Sequence, residues 1–84
     1  MKNKILVELI VPEVEESYNV FLPINRKIGN VIILLSKAVS ELTGGVYVVS
    51  TKTNLYDANT GNAYDMDKII LDTNIRNGSR IVLF

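Results

Sequence analysis

The sequence predicts an α+β fold in which one amphipathic α-helix packs on one face of a mixed, four- to five-stranded sheet. Two observations lead to this prediction. One stretch carries apolar residues at helical spacing, and β-branched runs bounded by turn residues precede and follow it. With 84 residues and 48% hydrophobic content, the chain is expected to form a single domain over residues 1–84 with its own core.

The first two strands are predicted to form a hairpin. Lys4 to Val11 is rich in Ile, Leu and Val, and Tyr18 to Leu22 is a second extended run that Pro23 ends. Residues 12–17 between them hold a proline, three glutamates and a serine, which favours a turn. Because a hairpin tip is usually solvated, we interpret these glutamates as surface residues and not as paired catalytic carboxylates.

A helix is predicted where apolar residues between Ile28 and Leu42 recur at steps of three and four and form one wide face. Asn25 is the expected N-cap, and Gly44-Gly45 is a stop signal. Ser36 is assigned to the polar side of the helix. Ile33 lies away from the apolar stripe and is expected to be exposed.

The second half of the chain is predicted to complete the sheet. It should contain a buried strand, a brief edge strand, a turn, a short helical turn and a final strand, at Val46–Val49, Thr53–Tyr56, Asp57–Asn62, Asp65–Leu71 and Ser79–Phe84. Gly78 supplies the left-handed turn before the final strand. If the first and last strands lie side by side and parallel, the helix forms the crossover between the two halves. That arrangement is the β-grasp.

Composition excludes most catalytic chemistry. The chain has no cysteine and no histidine, so it lacks thiolate ligands, cysteine nucleophiles and the commonest general base. The stretch from Asp57 to Lys68 fails as an EF-hand, because Gly61 stands at the fifth position and lysine at the twelfth. The five glycines of the whole chain match neither the phosphate-binding nor the dinucleotide-binding pattern. We therefore expect no enzyme activity, no cofactor and no metal.

Charge and hydropathy narrow the possible partners. Nine basic and nine acidic residues cancel, which argues against a nucleic-acid partner. The longest apolar run, Val31 to Leu35, is far shorter than the roughly 20 residues of a membrane span, so no membrane insertion is expected. Glu8 interrupts the apolar N-terminal stretch, which argues against a signal peptide. The expected location is the cytoplasm.

Several segments resemble known families. Residues 70–83, with Asp72-Thr73-Asn74-Ile75 before the Asn77-Gly78 turn, look like the closing segment of ubiquitin-like domains. Residues 20–23 followed by residues 27–32 resemble the strand-to-helix entry of the bacterial EsaB/YukD family, which is associated with type VII secretion systems. The likeness covers nearly the whole chain in order and spacing. It implies a β-grasp fold and a protein partner, namely a component of a type VII secretion machine.

The resemblance also points to a non-conjugating branch of the superfamily. Ubiquitin-like modifiers and sulfur carriers need a flexible Gly-Gly tail, whereas this sequence reads Ile81-Val82-Leu83-Phe84 at its end. Its internal Gly44-Gly45 pair sits where a helix must stop. Covalent conjugation is therefore not expected.

The candidate binding site is the sheet face that the helix leaves open. If Ile81 and Leu83 face the helix, Val82 and Phe84 face the opposite side. In the predicted preceding strand, either Val46 and Val48 or Tyr47 and Val49 also point outward. The predicted partner-binding residues are Tyr47, Val49, Lys52, Arg80, Val82 and Phe84, with Lys52 and Arg80 at the rim.

Three functional hypotheses follow. The first is a cytoplasmic EsaB/YukD-like accessory or regulatory protein of type VII secretion that binds a protein partner. The second is a sulfur carrier or protein modifier, which the sequence of the last residues disfavours. The third is a structural domain that forms homodimers through the open sheet face.

Overall fold

A computed structural model describes residues 3–84 and shows a four-stranded mixed sheet with one α-helix. The strands lie in the order β2-β1-β4-β3, so the N-terminal hairpin occupies one half of the sheet. Short 3-10 turns at Pro12–Val14 and Ile70–Asp72 complete the regular structure. The elements are β1 at Lys4–Val11, β2 at Glu16–Pro23, α1 at Ile28–Leu42, β3 at Leu55–Asp57 and β4 at Arg80–Leu83.

The pairing of the strands confirms the β-grasp. β1 runs antiparallel to β2, and it runs parallel to β4 with Leu9 beside Ile81. Two neighbouring parallel strands need a crossover connection, which α1 supplies here. β3 pairs antiparallel with the outer side of β4 and closes the sheet.

The start of α1 differs from the prediction. The N-cap is Lys27 and not Asn25, and no side chain caps the first turn. The backbone of the 66–68 loop takes over this task, since Ile28 N–H donates to Lys68 O at 2.9 Å and Gly29 N–H donates to Met66 O at 3.0 Å. A tertiary loop therefore satisfies amide groups that a helix start leaves without partners.

The end of α1 agrees with the prediction. The helix ends at Leu42, and both Gly44 and Gly45 adopt positive φ angles of 63° and 87°. Gly45 N–H donates to Ser40 O at 2.8 Å, which satisfies one of the last helical carbonyls. Left-handed backbone of this kind is readily adopted by glycine, so the Gly44-Gly45 pair is a structural stop.

The core lies between α1 and one face of the sheet. On β4, Ile81 and Leu83 are fully buried, as expected, and Ile75 anchors the preceding loop. Ser36 is also buried, contrary to its assignment to the polar side, because it lies one turn from the buried Ile32. Ile33 is 52% exposed, as expected. The buried apolar side chains are Val7, Leu9, Val11, Leu22, Ile28, Val31, Ile32, Leu35, Val39, Tyr47, Leu55, Ile70, Ile75, Ile81 and Leu83.

The predicted strand Val46–Val49 does not form. The backbone from residue 46 to residue 54 is irregular, and the short strand that pairs with β4 comes later, at Leu55–Asp57. Only Tyr47 of the β-branched run enters the core; its N–H donates to Thr43 Oγ1 at 3.0 Å instead of to a strand. The segment therefore continues the helix cap and crosses to β3 without joining the sheet.

Candidate functional site

The register of the strands determines which residues share the open face. Val82 lies opposite Ile10 of β1 on one side and opposite Tyr56 of β3 on the other. The residues that flank each of these three along its strand are buried on the helix side. Because side chains alternate along a strand, Ile10, Val82 and Tyr56 form one row on the opposite face, where each is half-buried.

Phe84 extends this row at the end of β4. Its N–H donates to Asn54 O at 3.1 Å, and Asn54 N–H donates to Phe84 O at 2.9 Å. These two hydrogen bonds hold the backbone of Phe84 in register with the chain just before β3. The side chain lies on the same face as Val82 and is 71% exposed. We call Ile10, Tyr56, Val82 and Phe84 the open-face patch.

A polar row borders the open-face patch. Arg80 lies opposite Glu8, and its Nε donates to Glu8 Oε1 at 3.2 Å. Both side chains remain accessible, at 57% and 38%, so this ion pair contributes at most about 1 kcal/mol to stability. Beyond it, Leu6 and Phe21 form a second exposed apolar pair, 41% and 53% accessible. The ion pair therefore separates two apolar areas on one sheet face.

A groove runs beside Phe84 at the edge of the patch. Residues from three parts of the chain line it, including Pro12 and Glu13 after β1, Val48 and Lys52 of the irregular segment, and Phe84 itself. Its floor includes the buried residues Tyr47 and Leu83. The groove thus presents an apolar surface with one carboxylate and one ammonium group at its border.

The predicted site residues are only partly brought together. Val82 and Phe84 share the open face, Arg80 lies next to them on β4, and exposed Lys52 lines the groove beside Phe84. The prediction that Tyr47 points outward is wrong, since its side chain is 3% exposed and belongs to the core. Val49 is 49% exposed, but it lies on the irregular segment and not on a strand of the open face.

Two members of the patch were missed from the sequence. Ile10 and Tyr56 join it through the β1–β4 and β3–β4 registers. Ile10 belongs to a β1 run that is apolar on both faces, so alternation alone does not show which of its residues are outward. Tyr56 belongs to the predicted brief edge strand. To place it in the patch, one must also know that this strand pairs with β4.

A polar network fixes the loop on the far side of β3. Asp57 accepts hydrogen bonds from Asn59 N–H at 2.8 Å and from Asn74 Nδ2 at 3.0 Å, and Tyr64 Oη donates to Asn74 Oδ1 at 2.8 Å. The side-chain bond from Asn74 and the backbone bond from Asn59 lower the pKa of Asp57. Burial, and then the negative charge of Asp57, raise the pKa of Tyr64 to about 12. These hydrogen bonds hold the loop in place, so we interpret the network as structural.

Other kinds of site receive no support from residues 3–84. No group of three or more histidine, cysteine or carboxylate side chains comes together there. Asp65 accepts a hydrogen bond from Asp67 N–H at 2.9 Å and stabilises its own turn. Over the same residues, no helix has the length and apolar character that crossing a membrane requires.

Comparison with known proteins identifies the fold class. No family model and no curated protein matches this chain. Solved structures match closely: the EccD5 ubiquitin-like domain from Mycobacterium xenopi aligns at 16% identity over 96% of this chain and 92% of that chain, with a TM-score of 0.79. The ubiquitin-like domain of the Mycobacterium tuberculosis type VII secretion protein EccD1 aligns at 13% identity over 95% and 96%, with a TM-score of 0.75.

A third structure places the same fold inside a larger chain. A component of the MycP5-free ESX-5 inner membrane complex aligns at 16% identity and a TM-score of 0.81. The match covers 98% of this chain but only 21% of that component. The chain therefore has the ubiquitin-like fold. At these identities the likeness establishes the fold alone.

Proposed function

We propose that this chain is a non-catalytic, non-conjugating, cytoplasmic ubiquitin-like module that binds a protein partner as an accessory component of a type VII secretion system. The resemblance to the EsaB/YukD family motivates the choice of system. The likeness to the EccD ubiquitin-like domains supports the same choice. The binding role rests on the open-face patch. There the side chain of Phe84 is 71% exposed, while its backbone is hydrogen-bonded to Asn54 directly after β4.

The physical case for binding rests on the position of Phe84. The backbone of Phe84 is already held by hydrogen bonds, so a partner that covers its ring restricts the side chain but little of the backbone. The neighbouring groove offers apolar contact, and Glu13 and Lys52 at its border can pair with polar groups of a partner. Interfaces of this type have an apolar centre, often aromatic, surrounded by a polar rim.

The proposal is tested with two matched variants. Phe84→Asp places a charge in the open-face patch, whereas Phe21→Asp places the same charge in the second apolar area of the same sheet face. Both positions are exposed, so each variant should keep its stability within about 0.5 kcal/mol. The loss of a central aromatic contact should weaken binding by about 2 kcal/mol, which is roughly 30-fold in Kd.

The readout is affinity purification from the cells that naturally make the protein, followed by quantitative mass spectrometry. Type VII secretion components should be enriched with the unmodified chain and with Phe21→Asp, and depleted with Phe84→Asp. Enrichment of only unrelated proteins would overturn the assignment to secretion. Enrichment that is unchanged by Phe84→Asp would overturn the assignment of the surface.

A further inference from the structure

The outer edge of β2 carries backbone groups that the sheet does not use. Ile24 N–H donates to Asn3 O at 3.0 Å, which identifies these two residues as a hydrogen-bonded pair next to β2. Hydrogen-bonded pairs alternate along an antiparallel ladder, so in the β1–β2 register Leu22, Val20 and Tyr18 face β1. The N–H and C=O groups of Ser17, Asn19 and Phe21 consequently point away from the sheet.

These groups have no partner among residues 3–84. No backbone or side-chain hydrogen bond from another segment reaches them, and β2 is the last strand at this side of the sheet. The side chains of Ser17, Asn19 and Phe21 are exposed on the open face. Natural edge strands are commonly protected by charged side chains, proline or a bulge. In β2 the charged Glu16 stands at the start and Pro23 at the end, so the centre of the edge between them is able to pair.

We propose that two copies of this chain associate through antiparallel pairing of their β2 edges, with a two-fold axis at Asn19. In this register Asn19 pairs with the partner's Asn19, and Ser17 pairs with the partner's Phe21. This antiparallel register gives Ser17, Asn19 and Phe21 each a hydrogen-bonded partner in the other copy. The two sheets would join into one continuous sheet, which satisfies the exposed backbone groups.

The side chains on the helix side of β2 fit this register. Tyr18 would lie opposite the partner's Val20, and the two-fold axis repeats the same contact. Tyr18 and Val20 are both half-buried within one copy, so part of each apolar side chain remains to be covered. Aromatic and β-branched residues that face each other across strands form favourable pairs.

The charges at the two ends of β2 are self-complementary. Glu15 and Glu16 are exposed at its start, and Arg26 and Lys27 are exposed just beyond its end. In the proposed register Glu15 and Glu16 lie opposite the partner's Pro23 and Leu22, three to five residues from its Arg26 and Lys27, so the acidic end of each copy is directed at the basic end of the other. Parallel pairing would instead place like charges together. This complementarity points to a second copy of the chain as the occupant, in preference to an unrelated strand.

The first test uses single cysteines, because the chain has none of its own. In the proposed dimer the two Asn19 Cα atoms lie about 5.5 Å apart, within the span of a disulfide. The two Ser17 Cα atoms lie about 14 Å apart, since four residues along the strand direction and the spacing between the two strands separate them. Asn19→Cys should therefore form a disulfide-linked dimer under mild oxidation at least about tenfold faster than Ser17→Cys. Equal rates would overturn the proposal.

The second test reverses the charges at one end at a time. The double variant Glu15→Lys with Glu16→Lys has two basic ends, and the double variant Arg26→Glu with Lys27→Glu has two acidic ends. Each alone should sediment as a monomer, and an equimolar mixture should sediment as a dimer. A mixture that stays monomeric, or an unmodified chain that is monomeric at its highest soluble concentration, would overturn the proposal.

This dimer is independent of the proposed partner site. β2 and β3 are opposite edges of the sheet, and Phe84 lies on the β3 side. The Phe84→Asp variant should sediment as the same dimer as the unmodified chain, while its partner binding is weakened. Dissociation of the dimer by Phe84→Asp would instead place the self-contact on the open-face patch and overturn the β2 pairing.

Discussion

Tyr47 holds the irregular segment that follows the helix against the core. Its side chain is 3% exposed, while Val46 and Val48 on either side are 73% and 68% exposed. Tyr47 N–H also donates to Thr43 Oγ1, which ties the segment to the end of α1. Replacing Tyr47 with alanine removes the one deeply buried side chain of the run Val46–Val49.

The size of the effect follows from this burial. Truncating a large buried aromatic side chain to alanine costs about 3–5 kcal/mol. Since Tyr47 lies on the floor of an open groove, we expect the lower end, about 3 kcal/mol. The whole stability of an 84-residue domain is about 4–13 kcal/mol. Tyr47→Ala should therefore lower the Tm by about 12–24 °C.

The assay is urea denaturation followed by circular dichroism, with Val48→Ala as the matched control. The control removes an exposed side chain of the same segment and should change stability by less than about 0.5 kcal/mol. Amide hydrogen exchange should show lost protection at the segment that lines the groove in Tyr47→Ala alone. Equal destabilisation by the two variants would refute the account of how this segment is held.

Three further predictions concern stability, acid response and covalent chemistry. Ser36→Ala should raise stability by about 1 kcal/mol in thermal melts, because Ser36 Oγ is buried and has no hydrogen-bond partner among residues 3–84; a lower Tm would contradict this. The lowered pKa of Asp57 gives stability that is present above about pH 4 and is lost as pH falls through that lowered pKa. Removing the donor with Asn74→Ala should raise the pKa of Asp57 in an NMR titration, and an unchanged pKa would count against the hydrogen bond. Intact-mass spectrometry after incubation with host lysate should show no adenylated or conjugated species, and either species would favour a modifier.

Much of the fold was predictable because its signals are local. The period of α1, its double-glycine stop and the alternation of β4 all depend on neighbouring residues, and all agree with the structure. The helix start was missed because backbone carbonyls of Met66 and Lys68, far along the chain, replace the cap. The sequence around residue 25 gives no indication of such a long-range contact.

The region between the helix and the last strand was predicted less well for a similar reason. Val46–Val49 has strong β propensity, yet a strand also needs a neighbour with free backbone groups. β4 already pairs with β1 on one side and with Leu55–Asp57 on the other. Tertiary competition for the edge of β4 therefore overrides the local propensity.

The same limit applies to the candidate site. Val82 and Phe84 were placed on the open face from alternation alone, and the structure agrees. The prediction for Tyr47 depended on a strand that does not form. Placing Ile10 and Tyr56 in the patch requires the register between strands that are distant in the sequence. The hydrophobic pattern within one segment does not contain this information.

Site-specific photo-cross-linking is the sharpest test of the proposed binding site, because it identifies the partner and the surface together. A benzophenone amino acid would replace Phe84 in one experiment and Phe21 in another, inside the cells that naturally make the protein. Both side chains are exposed aromatic rings on one sheet face. We predict a cross-link from position 84 to another component of a type VII secretion system, and from position 21 a cross-link only to a second copy of this chain. Cross-links to another secretion component from position 21 alone, or cross-links from position 84 only to proteins unrelated to secretion, would contradict the proposed binding site.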